Sequence, residues 1–441
     1  MKSKTTTLRT DVHGVPLFVE QSHALPLVSV SVAHRGGAVL DPPGHEGASR
    51  LLSRLARRTA GGRPLQDIES ELDLLGASLG SDVSYASVSL SGAVIARSLD
   101  GFVSLVSDAI GRPSLAVEEF ERLKRETRAE IIEGLDNDRS LAHRALRRAL
   151  YPSHAYARTA TGTLATIERI THSLLLEHDR ATRNREGLVL GMSGDIEVDQ
   201  AIRLAERIIA PVATGAPPIP RLGDPEIPEG RRLVIVDKPD RAQTQILIGL
   251  AGTKPTDLDH TALHVAMTVF GGTFSSRLMQ QIRVERGWSY GAYASLPIDQ
   301  SRQSLTLWTF PSKDDAAACI KLELDLLDQL VDNGITPKEL SFAKKSLMRS
   351  HAFSIDTAAK RLGLALDTAL LELPDDYYTD YEDRVSRVTL EETNAALRAR
   401  IDPTRLVIAV VGSAQQLQEQ MLSTVANLSS VTVVPYDSTE L

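Results

Sequence analysis

Residues 47–55, GASRLLSRL, place three polar side chains at helical spacing: Arg50, Ser53 and Arg54. On a helix, positions three and four apart lie on one face. Two imidazoles at that separation can hold one Zn²⁺, and a carboxylate beside the second can activate a metal-bound water. Arginine stays protonated and has no lone pair to give, and a serine hydroxyl is not a general base at neutral pH. The segment therefore has the spacing of a metal-binding helix without its ligands.

The surroundings of this segment, VSVAHRGGAVLDPPGHEGASRLLSRLARRTAGGR, resemble the first domain of the pitrilysin-like (M16) zinc peptidases. In that family a strand and a Gly-containing turn lead into a helix that carries His-x-x-Glu-His. The resemblance implies that Arg50, Ser53 and Arg54 stand where the two ligands and the base would be. We therefore expect no metal or other cofactor in this chain.

In the family, the third zinc ligand is a glutamate on a later helix. The resemblance assigns that position to Glu130, in LKRETRAEIIEG. Catalytic zinc sites use three protein ligands, so a single remaining carboxylate is not enough. We interpret Glu130 as the ionic partner of Arg50 or Arg54, because a partly buried arginine pair requires an anion.

A second stretch, FGGTFSSRLMQQIRVERGWSYGAYASL, resembles the signature of the family's second half. Arg283 and Tyr290 occupy its Arg/Tyr pair, which in the family reaches from a later domain to the substrate carbonyl near the zinc. A guanidinium and a phenol can both donate to a developing oxyanion. Taken alone, these residues would be a helix-capping arginine and a strand tyrosine. The GGTFSSRL context and the spacing favour the functional interpretation.

Composition is that of an ordinary globular protein: 441 residues, 42% hydrophobic and 24% charged. The net charge of −8 gives no indication of the excess positive charge that nucleic-acid-binding proteins carry. The single cysteine, Cys319, excludes an internal disulfide and is expected to be buried on a helix. No apolar run approaches membrane-spanning length, and residues 1–21 lack the apolar core of a secretory signal. We therefore expect a cytoplasmic protein.

The chain is predicted to divide into domains 1–212 and 233–441, joined by a Pro- and Gly-rich linker at 213–232. The same order of elements recurs on both sides. LVSVSVA (27–33) and QILIGL (245–250) each read as a strand followed by a helix, and GLVLGMSG (187–194) parallels RLVIAVVG (405–412). Strands combined with long helices favour an α+β sandwich with helices on one face of each sheet. The family resemblance implies the same fold: two homologous α/β sandwich domains.

Two further features of the sequence give weaker indications of a site. His260 and His264 form an HxxxH pair that could bind a metal, but no third ligand accompanies them, so two ordinary helix histidines are predicted. Active family members tend to carry Asn-Ala at a strand that aligns substrate by β-addition. Gly80 and Ser81 stand at that place here.

Both departures from the family pattern lie in the first half, whereas the Arg/Tyr pair in the second half is intact. The resemblance therefore implies a non-catalytic subunit that completes the active site of a homologous partner. That partner would carry His-x-x-Glu-His and the zinc, and the substrate would be a peptide or an unfolded polypeptide. The alternative is a catalytically inert scaffold of the same fold.

Overall fold

In the computed structural model, which describes residues 7–215 and 222–438, the chain forms two compact units. The first comprises the described residues within 1–131, 159–221 and 352–379, and the second those within 132–158, 222–351 and 380–441. Each unit therefore contains one segment that comes from the other half of the chain. The predicted domains, 1–212 and 233–441, divide the sequence into its two duplicated segments, and these boundaries stay a prediction.

Each unit is built on one six-stranded mixed sheet. The first sheet has the order β1-β2-β6-β3-β5-β4 and the second β12-β7-β11-β8-β10-β9. The strands are β1 (Leu8–Val12), β2 (Val15–Gln21), β3 (Leu27–Arg35), β4 (Ser78–Val83), β5 (Ser87–Ile95), β6 (Leu188–Gly194), β7 (Arg231–Asp237), β8 (Gln245–Ala251), β9 (Ala292–Ser295), β10 (Ser304–Thr309), β11 (Leu406–Gly412) and β12 (Leu428–Pro435).

Helices surround both sheets. They are α1 (Ala48–Arg58), α2 (Leu65–Leu75), α3 (Leu99–Gly111), α4 (Val117–Gly134), α5 (Asp138–Leu150), α6 (Leu164–Arg169), α7 (His172–Thr182), α8 (Val198–Ile209), α9 (His260–Gly271), α10 (Ala316–Asn333), α11 (Pro337–His351), α12 (Ala358–Leu370), α13 (Tyr381–Arg387), α14 (Leu390–Arg400) and α15 (Ala414–Thr424). Short 3₁₀ helices cover Gly37–Leu40, Ala60–Gly62, Ala96–Ser98, Ala155–Ala157 and Ala352–Ser354, and a π-helix covers Met279–Val284.

The predicted duplication is present in the sheets. Strands β3 and β8, which contain LVSVSVA and QILIGL, take the same place in the two strand orders, and so do β6 and β11. The antiparallel pairing of β3 with β6 is repeated by β8 with β11. The α+β class and the two homologous domains are therefore confirmed.

The prediction of helices on only one face of each sheet is wrong. In the first sheet β6 is buried on both faces, and in the second β11 is buried throughout. A strand that is buried on both sides needs a cover on both sides. In the first unit α12 supplies the second cover, with Leu362, Leu366 and Leu370 against Phe18 and Val189. In the second unit α5 packs on β7, β8 and β11.

Part of the predicted linker, residues 216–221, lies outside the described residues. Residues 222–228 have no regular structure, and β7 begins at Arg231, inside the predicted linker range. Asp224 ties this segment to the second unit by accepting hydrogen bonds from Lys254 Nζ at 2.9 Å and Arg302 Nη1 at 2.8 Å. Among the described residues, no helix combines the length and apolar character needed to cross a bilayer. The cytoplasmic location stays a prediction.

A carboxyl group in the core of the second unit has no cation beside it among the described residues. Glu323 on α10 is fully buried and accepts a hydrogen bond from Thr309 Oγ1 at 3.1 Å. Within the part of the chain that the structure describes, its Oε1 has no hydrogen-bond partner. Burial raises the pKa of Glu323 to about 8, so the group is a neutral acid at neutral pH. Cys319, on the same helix, is buried as predicted.

Glu323→Gln should remove a pH dependence of stability. The native carboxyl keeps its proton up to about pH 8, whereas an unfolded glutamate loses it near pH 4.5. The free energy of unfolding of the wild type should therefore fall between these pH values, by at most about 1.4 kcal/mol per pH unit from this group. The amide does not titrate, so the difference between variant and wild type should grow with pH in denaturant titrations. Parallel pH profiles for the two proteins would contradict the assignment.

Candidate functional site

Two sets of contacts fix helix α1 in the first unit. Its apolar side chains pack in a hydrophobic cluster, and backbone N–H groups at its N-terminus are hydrogen-bonded. Leu51 and Leu55 are buried against a cluster that includes Phe120 of α4. The buried carboxylate of Asp41 accepts hydrogen bonds from the backbone N–H groups of Gly47 and Ser49, both at 2.7 Å. These bonds satisfy donors that the first turn of a helix leaves unpaired. Arg50 and Arg54 lie on a less buried part of the same helix and also reach α4.

The two arginines meet Glu130 of α4. Arg54 makes a bidentate pair, with Nη2 donating to Glu130 Oε1 at 2.7 Å and Nη1 to Oε2 at 3.0 Å. Arg50 Nη1 donates to the same Oε2 at 3.0 Å. Arg54 Nη1 also lies 3.3 Å from Thr127 Oγ1. The expected pairing of Glu130 is therefore present with both arginines, and Ser53 is half-buried on α1.

The chemistry of this cluster does not fit a zinc ion. Burial alone would raise the pKa of Glu130, but the hydrogen bonds and charges of Arg54 and Arg50 outweigh it and lower the pKa. The carboxylate is thus ionised and fully engaged with two cations that cannot ligate metal. Across residues 7–215 and 222–438, no three His, Cys, Asp or Glu side chains are grouped as a metal site requires.

Further ion pairs between α1 and α4 were not predicted. Arg58 Nη1 donates to Glu119 Oε1 at 3.1 Å and Arg58 Nη2 to Glu126 Oε2 at 2.6 Å. The side chain of Arg58 is only 15% exposed, so solvent screens its two ion pairs less than it screens an ion pair on the surface. The signal available in the sequence was the spacing of Glu119, Glu126 and Glu130 along one amphipathic segment.

In the second unit, the segment that carries Arg283 is fixed by close backbone packing and one ion pair. A Cβ at Gly271 would lie 2.3 Å from the backbone nitrogen of Ala294, so only glycine allows α9 to end against β9. Arg277 donates to both carboxylate oxygens of Glu339, at 2.7 and 2.8 Å. Burial of Glu339 opposes ionisation, but the hydrogen bonds from Arg277 and Thr336 lower its pKa to about 2.

Arg283 and Tyr290 lie side by side. Arg283 belongs to the π-helix, a form that often marks functional sites, and its guanidinium carbon is 4.2 Å from the ring centroid of Tyr290. The same carbon is 4.6 Å from the ring centroid of Phe274. Both distances are within cation–π range. Tyr290 is 74% exposed, so its hydroxyl is accessible, and the contact with Phe274 was not predicted.

The buried Ser289 fixes the backbone around Tyr290. Its hydroxyl donates to the carbonyl of Gly291 at 2.7 Å and accepts from the backbone N–H of Phe310 at 3.1 Å. The tyrosine is thereby presented from a rigid segment just before the edge strand β9. A preorganised donor of this kind is what oxyanion stabilisation requires.

The weaker candidates have structural partners. His260 Nδ1 lies 2.9 Å from Thr253 Oγ1, and His264 Nε2 lies 3.1 Å from the hydroxyl of Tyr381. Burial, followed by the neighbouring His264, lowers the pKa of His260 to about 4. Gly80 and Ser81 lie on β4, the edge strand of the first sheet.

Comparison with known protein families shows to which family this sequence belongs. The sequence model described as "Insulinase (Peptidase family M16)" matches residues 17–164, and the model described as "Peptidase M16 inactive domain" matches residues 170–347. The chain belongs to the M16 peptidase family. Arg50, Ser53 and Arg54 lie within the first of these two matches.

M16 relatives match over most of their length. The "non-peptidase homolog YmxG" of Helicobacter pylori is 23% identical over 403 residues, covering 90% of this chain and 92% of that protein. An uncharacterized zinc protease of Mycobacterium tuberculosis is 25% identical over 429 residues, covering 95% of each chain.

Solved structures share the fold. The M16 inactive domain from Pseudomonas fluorescens has a TM-score of 0.85 at 22% identity, covering 92% of this chain and 98% of that one. A protease from Helicobacter pylori has a TM-score of 0.83 at 15% identity, covering 92% and 99%.

The wild-type chain should bind no stoichiometric zinc, because two of its three ligand positions are arginines. Replacing Arg50→His, Ser53→Glu and Arg54→His beside Glu130 should create a site for about one Zn²⁺ per chain. Adding Glu130→Gln to that triple variant should remove the metal again, whereas Glu130→Gln alone should change nothing. Metal analysis by mass spectrometry checks all four proteins. Tightly held zinc in the wild type would overturn this account.

Proposed function

We propose that this chain is the non-catalytic subunit of a heterodimeric zinc peptidase and completes the active site of a homologous partner. The observation that carries the proposal is the accessible pair of Arg283 and Tyr290, adjacent and held by rigid backbone, in a chain whose own ligand positions cannot bind zinc. The partner would carry the intact His-x-x-Glu-His motif and the zinc. The substrate would be a peptide or an unfolded polypeptide.

The chemistry available to Arg283 and Tyr290 is hydrogen-bond donation. In the partner, zinc would supply the activated water that attacks the peptide carbonyl. The guanidinium of Arg283 and the hydroxyl of Tyr290 can donate to the oxygen on which negative charge develops. The ring contacts of Arg283 hold its planar group in place, which limits the entropy lost when it meets substrate.

The alternative is an inert scaffold of the same fold. The name of the Helicobacter pylori relative, "non-peptidase homolog", and the missing zinc ligands are compatible with both functions. The pair of Arg283 and Tyr290 favours the completing subunit, because a scaffold has no need for a half-buried arginine and an exposed tyrosine held in contact as hydrogen-bond donors.

Co-expression with an M16 homologue that bears His-x-x-Glu-His should yield a stable complex of the two chains. Obligate interfaces between such large subunits usually bury more than about 2,000 Å². Size-exclusion chromatography with light scattering at micromolar concentration checks the assembly, and this chain alone serves as the reference. Separate monomers from every co-expressed pair would argue against the heterodimer.

Tyr290→Phe should lower kcat of the assembled complex by roughly a hundredfold to a thousandfold, since it removes one oxyanion donor and nothing else. Tyr293→Phe is the matched control, because Tyr293 is also exposed, lies three residues away on β9 and stacks on Trp308. Assembly and zinc content should be unchanged in both variants. Arg283→Ala should also lower kcat and weaken substrate binding. Full activity of the Arg283→Ala, Tyr290→Phe double variant would favour the scaffold.

A further inference from the structure

In the second unit, the guanidinium of Arg139 rests on the ring of a tryptophan. Arg139 lies in the first turn of α5, and its guanidinium carbon is 3.6 Å from the ring centroid of Trp308. This distance is shorter than the 4.2 Å that separates Arg283 from the ring of Tyr290. Arginine favours such contacts because its planar, weakly hydrated group stacks on aromatic faces. The side chain of Arg139 is nevertheless exposed, so a ligand can reach it.

The tryptophan that supports this arginine is fixed in the second sheet. Trp308 lies on β10, and its Nε1 donates to Oε1 of Gln245 on β8 at 3.0 Å. The ring of Tyr293 on β9 stacks on Trp308 with centroids 5.3 Å apart and planes 22° apart, a contact that does not need the hydroxyl. The start of α5 is fixed as well, because Oδ1 of Asn137 accepts from the backbone N–H of Ser140 at 2.9 Å. The guanidinium is therefore held in place before any ligand arrives.

No anion of the protein neutralises Arg139. Within residues 7–215 and 222–438, its guanidinium has neither a hydrogen-bond acceptor nor a carboxylate at ion-pair distance. The neighbouring acids have other partners: Asp138 lies 2.7 Å from Nζ of Lys238 and 3.3 Å from Nε of Arg241. Asp136 lies 3.9 and 4.0 Å from the same two cations. All five N–H donors of Arg139 are therefore available to a ligand.

The surroundings of Arg139 on α5 are cationic. Burial lowers the pKa of His143, one turn further along, and Arg139 and Arg147 lower it again. Burial also lowers the pKa of Arg144, whose Nε has no hydrogen-bond partner among the described residues. In neither case does a described carboxylate act in the opposite direction. This part of the second unit therefore attracts an anion although the whole chain has a net charge of −8.

The contact of Arg139 with Trp308 lies a short way along the sheet from Tyr290. Trp308 stands opposite Tyr293 in the register of β9 and β10, and Tyr293 follows Tyr290 by three residues. Three residues of backbone span at most about 11 Å. An extended peptide rises about 3.3 Å per residue, so a substrate that contacts Tyr290 comes near Arg139 a few residues further on.

The anion that best fits Arg139 is a carboxylate. The planar fork of a guanidinium matches the two oxygens of a carboxylate and can hold both at once. A polyanion such as nucleic acid is repelled by the net charge of −8, whereas a single carboxylate is not excluded in this way. In a polypeptide, carboxylates occur on aspartate and glutamate side chains and at the C-terminus.

We propose that Arg139, stacked on Trp308, binds an acidic side chain of the polypeptide substrate a few residues from the peptide bond that Arg283 and Tyr290 contact. Arg139 is then a residue that determines specificity, and the substrates of the complex carry aspartate or glutamate near the cleaved bond. This inference rests on the proposed function for the class of ligand and for the position of that bond.

Fluorescence anisotropy on the isolated chain tests the proposal with four labelled peptides of one length. Three are blocked at both ends and differ only at a central position, which is glutamate, glutamine or lysine. The fourth has the glutamine sequence and a free C-terminal carboxylate. The glutamate peptide should bind about tenfold more tightly than the glutamine peptide, since charge-assisted hydrogen bonds are lost in the amide. The lysine peptide should bind most weakly, and the free C-terminus should add nothing.

Arg139→Gln should abolish the preference for glutamate, and Arg139→Lys should restore it in part, because the charge returns without the planar fork. Arg148→Gln is the matched control, since Arg148 is also exposed and lies on the same helix. It removes the same charge two and a half turns further along, on the opposite side of α5, and should keep the preference. Unchanged melting temperatures verify that the variants fold.

The proposal is overturned if no peptide binds at millimolar concentration, if the glutamate and glutamine peptides bind equally, or if the preference survives in Arg139→Gln. Loss of the preference in Arg148→Gln would show a general effect of charge and also overturns it. So does a free C-terminus that binds as tightly as the glutamate side chain, because the ligand would then be the end of the chain. None of these results would change the effect of Tyr290→Phe on the assembled complex, so failure here is distinguishable from failure of the proposed function.

Discussion

Two half-buried guanidinium groups on one helix require an anion, and the first unit meets this requirement with Glu130. A metal in this position would cross-link α1 to α4 through its ligands. Here the same two helices are linked by charge-assisted hydrogen bonds from Arg50 and Arg54, and again by Arg58 with its two glutamates. Ion pairs therefore hold α1 and α4 together without a metal.

The two units share most of their architecture. Five strands follow the same order in both sheets, but the sixth differs: β1 precedes β2 and runs antiparallel to it, whereas β12 is the last strand of the chain and runs parallel to β7. Central strands that are buried on both faces have a second helical cover in both units. In each unit that cover comes from the other half of the chain, α12 for the first sheet and α5 for the second. Neither half of the sequence therefore contains all of one packed unit. The second sheet therefore needs α5 from the first half of the chain, and the first sheet needs α12 from the second half.

The helices and strands that could be predicted are those with a strong local pattern in the sequence. Alternating or continuous apolar runs marked β3, β8, β6 and β11, and the proline at the start of α11 marked a first helical turn. The pairing of Glu130 followed from the family resemblance, which singled out this residue, together with the need of a partly buried arginine pair for an anion. The exchange of α5 and α12 could not be predicted, because an amphipathic pattern shows that a face is buried but not which sheet buries it. The contact of Phe274 with Arg283 was missed for a similar reason, since an aromatic residue in a turn has no periodicity.

The central claim is that this chain contributes donors, and no metal, to a shared active site. A crystal structure of the complex with a zinc-bearing M16 homologue and a bound substrate analogue, recorded at the zinc absorption edge, tests it most directly. The account predicts an anomalous zinc peak in the partner alone, with Arg283 and Tyr290 of this chain within hydrogen-bonding distance of the substrate carbonyl oxygen. A zinc peak between Arg50, Arg54 and Glu130, or an Arg283 and Tyr290 pair remote from the partner's metal, would contradict it.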